Sequence, residues 1–526
     1  MRVLLLAAAL SATLAVVAPA TRAQGALPDM GSSAAELLTP QQENDYGAYT
    51  FYQLRRYDML LEDPLVEDWL AGMGQRLAAA SEKPGQDYTF FVLRDRQINA
   101  FATLGGYIGT NAGLVLTAES EDEVAGVLAH EISHVTQRHV LRAVERAKKD
   151  QLPILLAMVG AIIAAQGSSN AAQASQAAIA SGYALAAQRQ IDYTRANESE
   201  ADRIGIRTLA RAGYDPTSMG DFFERMERVG RGNSGGYNTP DYLRSHPVTT
   251  TRISEARDRA ERVRAEAIPA PARSTVAESP LLLPPYLSTG NGNAAPVRMF
   301  AWARERLRVL SAPSAAEAVL EYDILAKAAG GKLSPAQRYG HALAQIRHGH
   351  PAAAEATLQA LGKEAPDNLW IDLALAEAAH AARKEALARE RFDALLRGHP
   401  QNHAVSLSYA IVLNEVGSAD AGRRAQEVLR PFLVNYGGDA LLQKSFARAS
   451  ELAGDEARAG EAFAESAWLN GRAEDALAQF TELLKRDDLD YVQRARIEAR
   501  IAYITPAALE MRRQGIRPED QEGDDA

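Results

Sequence analysis

The 526-residue chain contains no cysteine. No disulfide can brace it, no thiolate can ligate a metal and no cysteine-linked lipid can anchor it. Histidine is also scarce: of ten in the chain, only His130, His134, His139 and His246 precede residue 298. A metal site in the first half would have to draw on these imidazoles and on carboxylates. The apolar stretches Val3 to Val17 and Leu152 to Ala165 both fall short of the ~20 residues that cross a bilayer as a helix. Basic residues are the minority, 57 against 67 acidic ones, for a net charge of −10. Such a balance argues against nucleic acid as a partner and gives no electrostatic pull toward anionic lipid.

Residues 130 to 134 read His-Glu-Ile-Ser-His. On a helix, positions i and i+4 share a face, so His130 and His134 can reach one metal ion while Glu131 projects beside it toward a water. The flanks predict that helix. Ser120 and Glu123 make a capping box, Glu121, Asp122 and Glu123 fill the first turn, and Arg142, Arg146, Lys148 and Lys149 crowd the far end. Val124, Val127, Leu128, Val135, Leu141 and Val144 keep a helical period. The pattern points to a zinc peptidase.

A catalytic zinc takes three protein ligands and a water, so one more ligand is needed. Asn197-Glu198-Ser199-Glu200-Ala201-Asp202 opens another helical stretch, which runs through Ile204, Ile206 and Leu209 and stops at Gly213. Glu198 and Asp202 stand four apart, so one helix can offer a carboxylate to the metal and another to orient a ligand imidazole. Equally, these acids could simply begin a helix, where acids are favoured; Glu200, off this face, fits that account better than Glu198.

The ordered set Asn99-Ala100-Phe101, Gly105-Gly106-Tyr107-Ile108, HEISH, Glu198-Ser199-Glu200-Ala201-Asp202 and Ser245-His246-Pro247 with Arg252 resembles peptidase family forty-eight of the metallo class. That family includes the CAAX prenyl endopeptidases and the HtpX membrane proteases. The resemblance implies a gluzincin-type α+β domain with a small edge sheet, binding one zinc ion per chain. It makes His130, His134 and Glu198 the zinc ligands, Glu131 the general base and Asp202 the orienting carboxylate. His246 would lie on a loop that can approach the metal and block the activating water, or, withdrawn, help stabilise the oxyanion; a loop histidine that caps a helix is the alternative. Arg252 either holds that loop or contacts substrate. The stretch 99–116 reads as a strand and turn before the active helix, and the resemblance favours strand addition of an extended substrate there, at Asn99, Gly105, Gly106 and Tyr107. The glycines could instead only permit a tight turn.

Arg2, the apolar run Val3 to Val17 and the small residues ending Thr21-Arg22-Ala23 have the form of a secretory signal peptide (1–23). Removing it leaves 55 basic against 67 acidic residues and predicts an exported, periplasmic protein. The length predicts at least two domains. A peptidase domain over 24–266 is followed by a linker over 267–297, with prolines at 269, 271, 280, 284, 285 and 296. Beyond it lies an alanine-rich helical region over 298–505. There Glu364-Ala365-Pro366-Asp367-Asn368 recurs as Arg397-Gly398-His399-Pro400-Gln401-Asn402, and the 34-residue step between the prolines is the period of a tetratricopeptide repeat. Helix pairs are expected over Ser334 to Leu361, Val405 to Leu433 and Ala440 to Leu484 as well, giving about four repeats of a mainly α chain that ends in a solenoid. His341, His348, His350, His380, His399 and His403 fall here as scattered helix and turn residues.

Leu152 to Ala165 is either a buried helix, the more ordinary account, or a hairpin that rests on a membrane or lids the cleft. Residues 506–526 form a polar acidic tail. Two functions follow. One is an endopeptidase for misfolded exported proteins, with the repeats presenting clients or, as the resemblance alone implies, docking to the outer-membrane β-barrel assembly machinery. The other is a chaperone or assembly factor whose protease site is mostly shut.

Overall fold

The computed structural model describes residues 37–146, 171–232, 241–266 and 299–513. The expected signal peptide, the linker, the apolar run 152–165 and the end of the acidic tail lie outside the described residues.

The chain enters through α1 (Pro40–Arg56), where the Thr39 side chain accepts from the Gln42 amide and the Gln42 side chain accepts from the Thr39 amide. Next comes α2 (Pro64–Ala80), capped by Asp63. A three-stranded sheet follows, built from β1 (Thr89–Leu93), β2 (Ala100–Ala102) and β3 (Tyr107–Asn111) in the order β1-β3-β2. Strand β1 runs parallel to β3 with Thr89 opposite Tyr107, and β2 runs antiparallel with Ala100 opposite Thr110. The short α3 (Ala112–Thr117) leads into α4 (Glu121–Thr136), which carries the histidine pentad.

Helix α4 is buried almost all round from Glu121 to Ser133. Its first-turn acids are therefore tied inward instead of solvated: Glu121 accepts from the Trp69 indole, Asp122 from the Asp215 amide and Glu123 from Arg225. Ser120 caps the helix through the Glu123 amide as expected, but the Glu123 carboxylate returns to the Glu119 amide at 2.8 Å, one residue earlier than a capping box requires. The helix also ends sooner than the sequence suggested. Arg138 adopts φ 54, and a separate helical stretch carries Leu141 and Val144.

Four helices complete this half: α5 (Ala171–Arg211), α6 (Ser218–Gly232), α7 (Asp241–Ser245) and α8 (Thr250–Ala265). Because α5 starts 26 residues before Asn197, Glu198 and Asp202 sit in mid-helix, and the account in which they merely open a helix falls. Leu70 and Leu77 of α2, Leu128 and Ile132 of α4, Leu209 of α5 and Phe222 of α6 share one core. Each such side chain contributes about 1.5–3 kcal/mol on full burial.

The second half begins with α9 (Phe300–Leu310) and α10 (Ala315–Ala328). Five antiparallel pairs follow: α11 (Pro335–Arg347) with α12 (Pro351–Glu364), α13 (Leu369–Ala381) with α14 (Glu385–Gly398), α15 (His403–Val416) with α16 (Ala419–Leu429), α17 (Ala440–Ala453) with α18 (Glu456–Leu469), and α19 (Ala473–Leu483) with α20 (Tyr491–Arg513). Their first helices start 34, 34, 37 and 33 residues apart. Asn368 and Asn402, each two residues after a recurring proline, cap α13 and α15 with their side chains. The 3₁₀ turn Arg430–Phe432 falls within the longer step. Residues 440–484, expected to form one pair, hold three helices, and α20 runs to Arg513, past the expected boundary at 505. The chain is mainly helical, and no described helix is long and apolar enough to cross a membrane.

The halves share a core and a buried ion cluster. Arg306 of α9 binds Asp63 at the start of α2 (2.7 Å) and Glu377 of α13 (2.8 Å). Helix α15 also packs on α2, so α2 is the wall between the two regions.

Candidate metal centre

His130 and His134 lie one turn apart on α4, and their Nε2 atoms face each other at 3.0 Å. Glu198 on α5 points at the same spot, with Oε2 3.4 Å from His130 Nε2 and Oε1 3.5 Å from His134 Nε2. His246, directly after α7, brings Nδ1 to 3.0 Å from Glu198 Oε1 and 3.4 Å from His130 Nε2. One ligand atom from each of these four residues lies within 4.8 Å of all the others. Glu131 Oε1 is buried beside them without a hydrogen-bond partner, 3.7 Å from His246 Nε2.

The residues around this cluster fix its charge. Asp202 Oδ1 stands 2.9 Å from His130 Nδ1, a contact that favours a proton on Nδ1 and leaves Nε2 facing the centre, where a bound metal would take its lone pair. Arg252, in the first turn of α8, grips Asp202 with two hydrogen bonds of 2.9 and 2.8 Å, reaches Glu198 Oε2 at 2.9 Å and donates to the Pro247 carbonyl. Burial would lower the His130 pKa, but the Asp202 and Glu198 carboxylates outweigh it and raise it to about 10. Burial also works against ionised Glu198, yet its imidazole neighbours hold its pKa far below the usual carboxylate range. Burial and then the nearby His130 push His134 well down. Three carboxyl groups against one guanidinium leave room for two positive charges among lone pairs that would otherwise repel. Two imidazole nitrogens and a carboxylate are the donor set of a catalytic zinc with an open position, and the residues present fit that ion.

Residues 64–260 match the model of peptidase family M48. Over 477 residues the chain is 33% identical to a Vibrio cholerae protein named, provisionally, beta-barrel assembly-enhancing protease, covering 90% of this chain and 91% of that one. The beta-barrel assembly-enhancing protease of Escherichia coli K12 is 30% identical over 492 residues, 93% of each chain. The mitochondrial metalloendopeptidase OMA1 of Arabidopsis thaliana is 27% identical over 200 residues, 36% of this chain and 35% of that one. The chain belongs to peptidase family M48. It is a zinc metalloprotease.

The other residues expected of this M48 chain fall in two groups. His246, Asp202 and Arg252 join the centre, and Arg252 spans the loop carbonyl and both carboxylates. The strand-addition residues are placed differently. Tyr107 opens β3, the middle strand, so its backbone is already paired with β1, and its ring packs on Phe51. Gly105 (φ 72) and Gly106 (φ 84) make the tight turn. A Cβ at Gly105 would sit 2.6 Å from Asn44 Cα, and one at Gly106 2.3 Å from the Asp87 carbonyl oxygen, so α1 and the β1 approach cover this turn. Of the two edge strands, β1 is bridged by Leu60 at Leu93, while β2 carries no further bridge among the described residues. Asn99 precedes it, accepts from the Asn111 amide through its carbonyl and keeps a buried, unpartnered Oδ1.

Sequence reasoning missed two neighbours. Tyr242 lies against the His246 ring at 4.8 Å, and the His139 ring contacts that of His134 at 4.7 Å. Scarcity of histidine in this half was the available signal for His139.

Proposed function

We propose that this M48 protease is a periplasmic endopeptidase that cleaves misfolded or stalled exported proteins, outer-membrane proteins foremost, and that its helical pairs act as a tetratricopeptide solenoid binding clients or the assembly machinery. The observation that carries the catalytic part is the convergence of His130, His134 and Glu198 from two helices, with Glu131 Oε1 buried beside them and free of hydrogen bonds. His130 Nε2, His134 Nε2 and the Glu198 carboxylate would hold zinc. Bound there, zinc polarises the scissile carbonyl and lowers the pKa of the attacking water toward ~7. Glu131 accepts the water's proton and returns it to the leaving amide nitrogen. Asp202 keeps the His130 proton on Nδ1, and Arg252 keeps Asp202 in place. An extended client pairs with the β2 edge by main-chain hydrogen bonds, which explains a preference for unfolded segments.

The client side of the proposal is supported by the relatives' printed names, by their near full-length similarity and by the leader-like first 23 residues. A cavity of about 1070 Å³ between α1 and the last helical pairs adds to it; Tyr46, Tyr49, Tyr52, Tyr107, Trp468 and Tyr503 are among its walls. Such an aromatic wall suits the apolar side chains of an unfolded chain. The test is to incubate the zinc-loaded protein with an outer-membrane β-barrel protein, once unfolded and once folded in detergent. Cleavage of the unfolded form alone is expected. Resistance of both forms under conditions that degrade casein would remove the client assignment.

One observation favours a second reading, an assembly factor with a closed site. His246 Nδ1 lies among the ligand atoms, and a histidine there takes the place of the attacking water.

A further inference from the structure

We propose that His139 and Glu200 are positioning residues for the zinc ligand His134, forming a directional hydrogen-bond chain that fixes its tautomer and ring orientation. This rests on the zinc site alone and is independent of the client.

The argument starts from protons. His134 turns Nε2 toward the centre, so its ring proton is on Nδ1, and that atom lies 2.8 Å from His139 Nδ1. Two ring nitrogens at this distance share one proton. If His134 supplies it, His139 Nδ1 is the acceptor and the His139 proton must be on Nε2. That nitrogen faces Glu200 Oε2 at 3.2 Å, and the same oxygen takes a bond from Arg142 Nη1 at 3.0 Å. Every donor in the sequence His134, His139, Glu200 thus has one acceptor, and Arg142 fixes the Glu200 carboxylate from its other side. The arrangement parallels the contact of Asp202 with the other ligand, His130. Each ligand imidazole then has its own outer partner, which zinc-bound histidines ordinarily require.

The backbone is arranged to bring this about. Helix α4 ends at Thr136, and Arg138 adopts the left-handed conformation, φ 54, which non-glycine residues seldom take. Its amide donates to the Val135 carbonyl, and its guanidinium is paired with Glu43 of α1. This reversal folds His139 back over the last turn of α4. Had the helix continued, residue 139 would stand five positions from His134, well off its face. His139 is 3% exposed, so its Nδ1 is shielded from bulk water.

The test is the zinc dissociation constant of purified full-length protein, read by competition with a chromogenic chelator, together with kcat and KM on casein. His139→Leu fills the space without an acceptor. His139→Asn places an amide oxygen where Nδ1 stood. The chain predicts that the Leu variant binds zinc roughly 10- to 100-fold more weakly, that kcat falls while KM holds, and that the Asn variant recovers most of both. Glu200→Ala, on a partly exposed side chain, should weaken zinc several-fold; it carries the test if His139→Leu does not fold. Wild-type zinc affinity in both the Leu and Glu200→Ala variants, or an Asn variant no better than Leu, would overturn the inference. Zinc affinity is read separately from turnover, so failure of the protease itself would show as intact binding without cleavage.

Discussion

His246 Nδ1 lies 3.0 Å from Glu198 Oε1, inside the group that would hold the metal. If that placement shuts the site, His246→Ala should raise casein cleavage by zinc-loaded protein, by an order of magnitude or so if the closed form dominates. If His246 instead stabilises the oxyanion, the same variant loses roughly 10²–10³ in kcat. The direction of change decides between the two roles.

Arg252 is the only guanidinium on Asp202 and Glu198 among the described residues, and all three are buried. Removing one member of a buried ion cluster strands the others, at about 3–5 kcal/mol. Arg252→Ala should therefore lower the unfolding midpoint of the protein markedly, and Arg252→Lys should restore less than half of it, since a lysine cannot fork between two oxygens. Chemical denaturation measures both.

His403 ties the two halves together. It sits in the first turn of α15, stacked on Tyr436 at 4.0 Å, with Asp68 of α2 and Asp439 at the start of α17 beside its nitrogens at 3.5 and 3.3 Å. Burial would lower its pKa, but the two carboxylates raise it from 6.5 to about 9. A raised histidine gives stability that is fully present below pH 6.5 and is lost as pH climbs through 9, up to about 3 kcal/mol at ~1.4 kcal/mol per unit. Nearby Glu67, also raised by burial and then by Asp439, gives a loss of the same sign as pH rises. The contrast to measure is therefore wild type against His403→Gln in thermal melts from pH 6 to 10. The variant should start lower and fall less steeply than wild type above pH 6.5; parallel curves would remove His403 from the account.

What could be read from the sequence was whatever local spacing dictates. The pentad's helix, the shared face of Glu198 and Asp202 and the 34-residue step all follow from side-chain periods. The sheet order did not, because β1 pairs with β3 across a crossover and nothing in Gly105-Gly106-Tyr107 marks β3 as the middle strand. The His139 chain was hidden for a related reason. It depends on a left-handed turn at an arginine, which Glu43 holds from another helix, and a sequence signals such a turn only when glycine or asparagine stands there. Asn197 resembled a helix start because acids follow it, yet α5 was already under way, and only tertiary packing makes that visible.

The central claim is that Glu131 works as the general base in a zinc site built by His130, His134 and Glu198. Its most direct test is casein cleavage by purified protein and by Glu131→Gln, with bound zinc measured in both. The account predicts equal zinc and at least a 10²-fold loss of cleavage in the variant. Equal cleavage by the two proteins would contradict it.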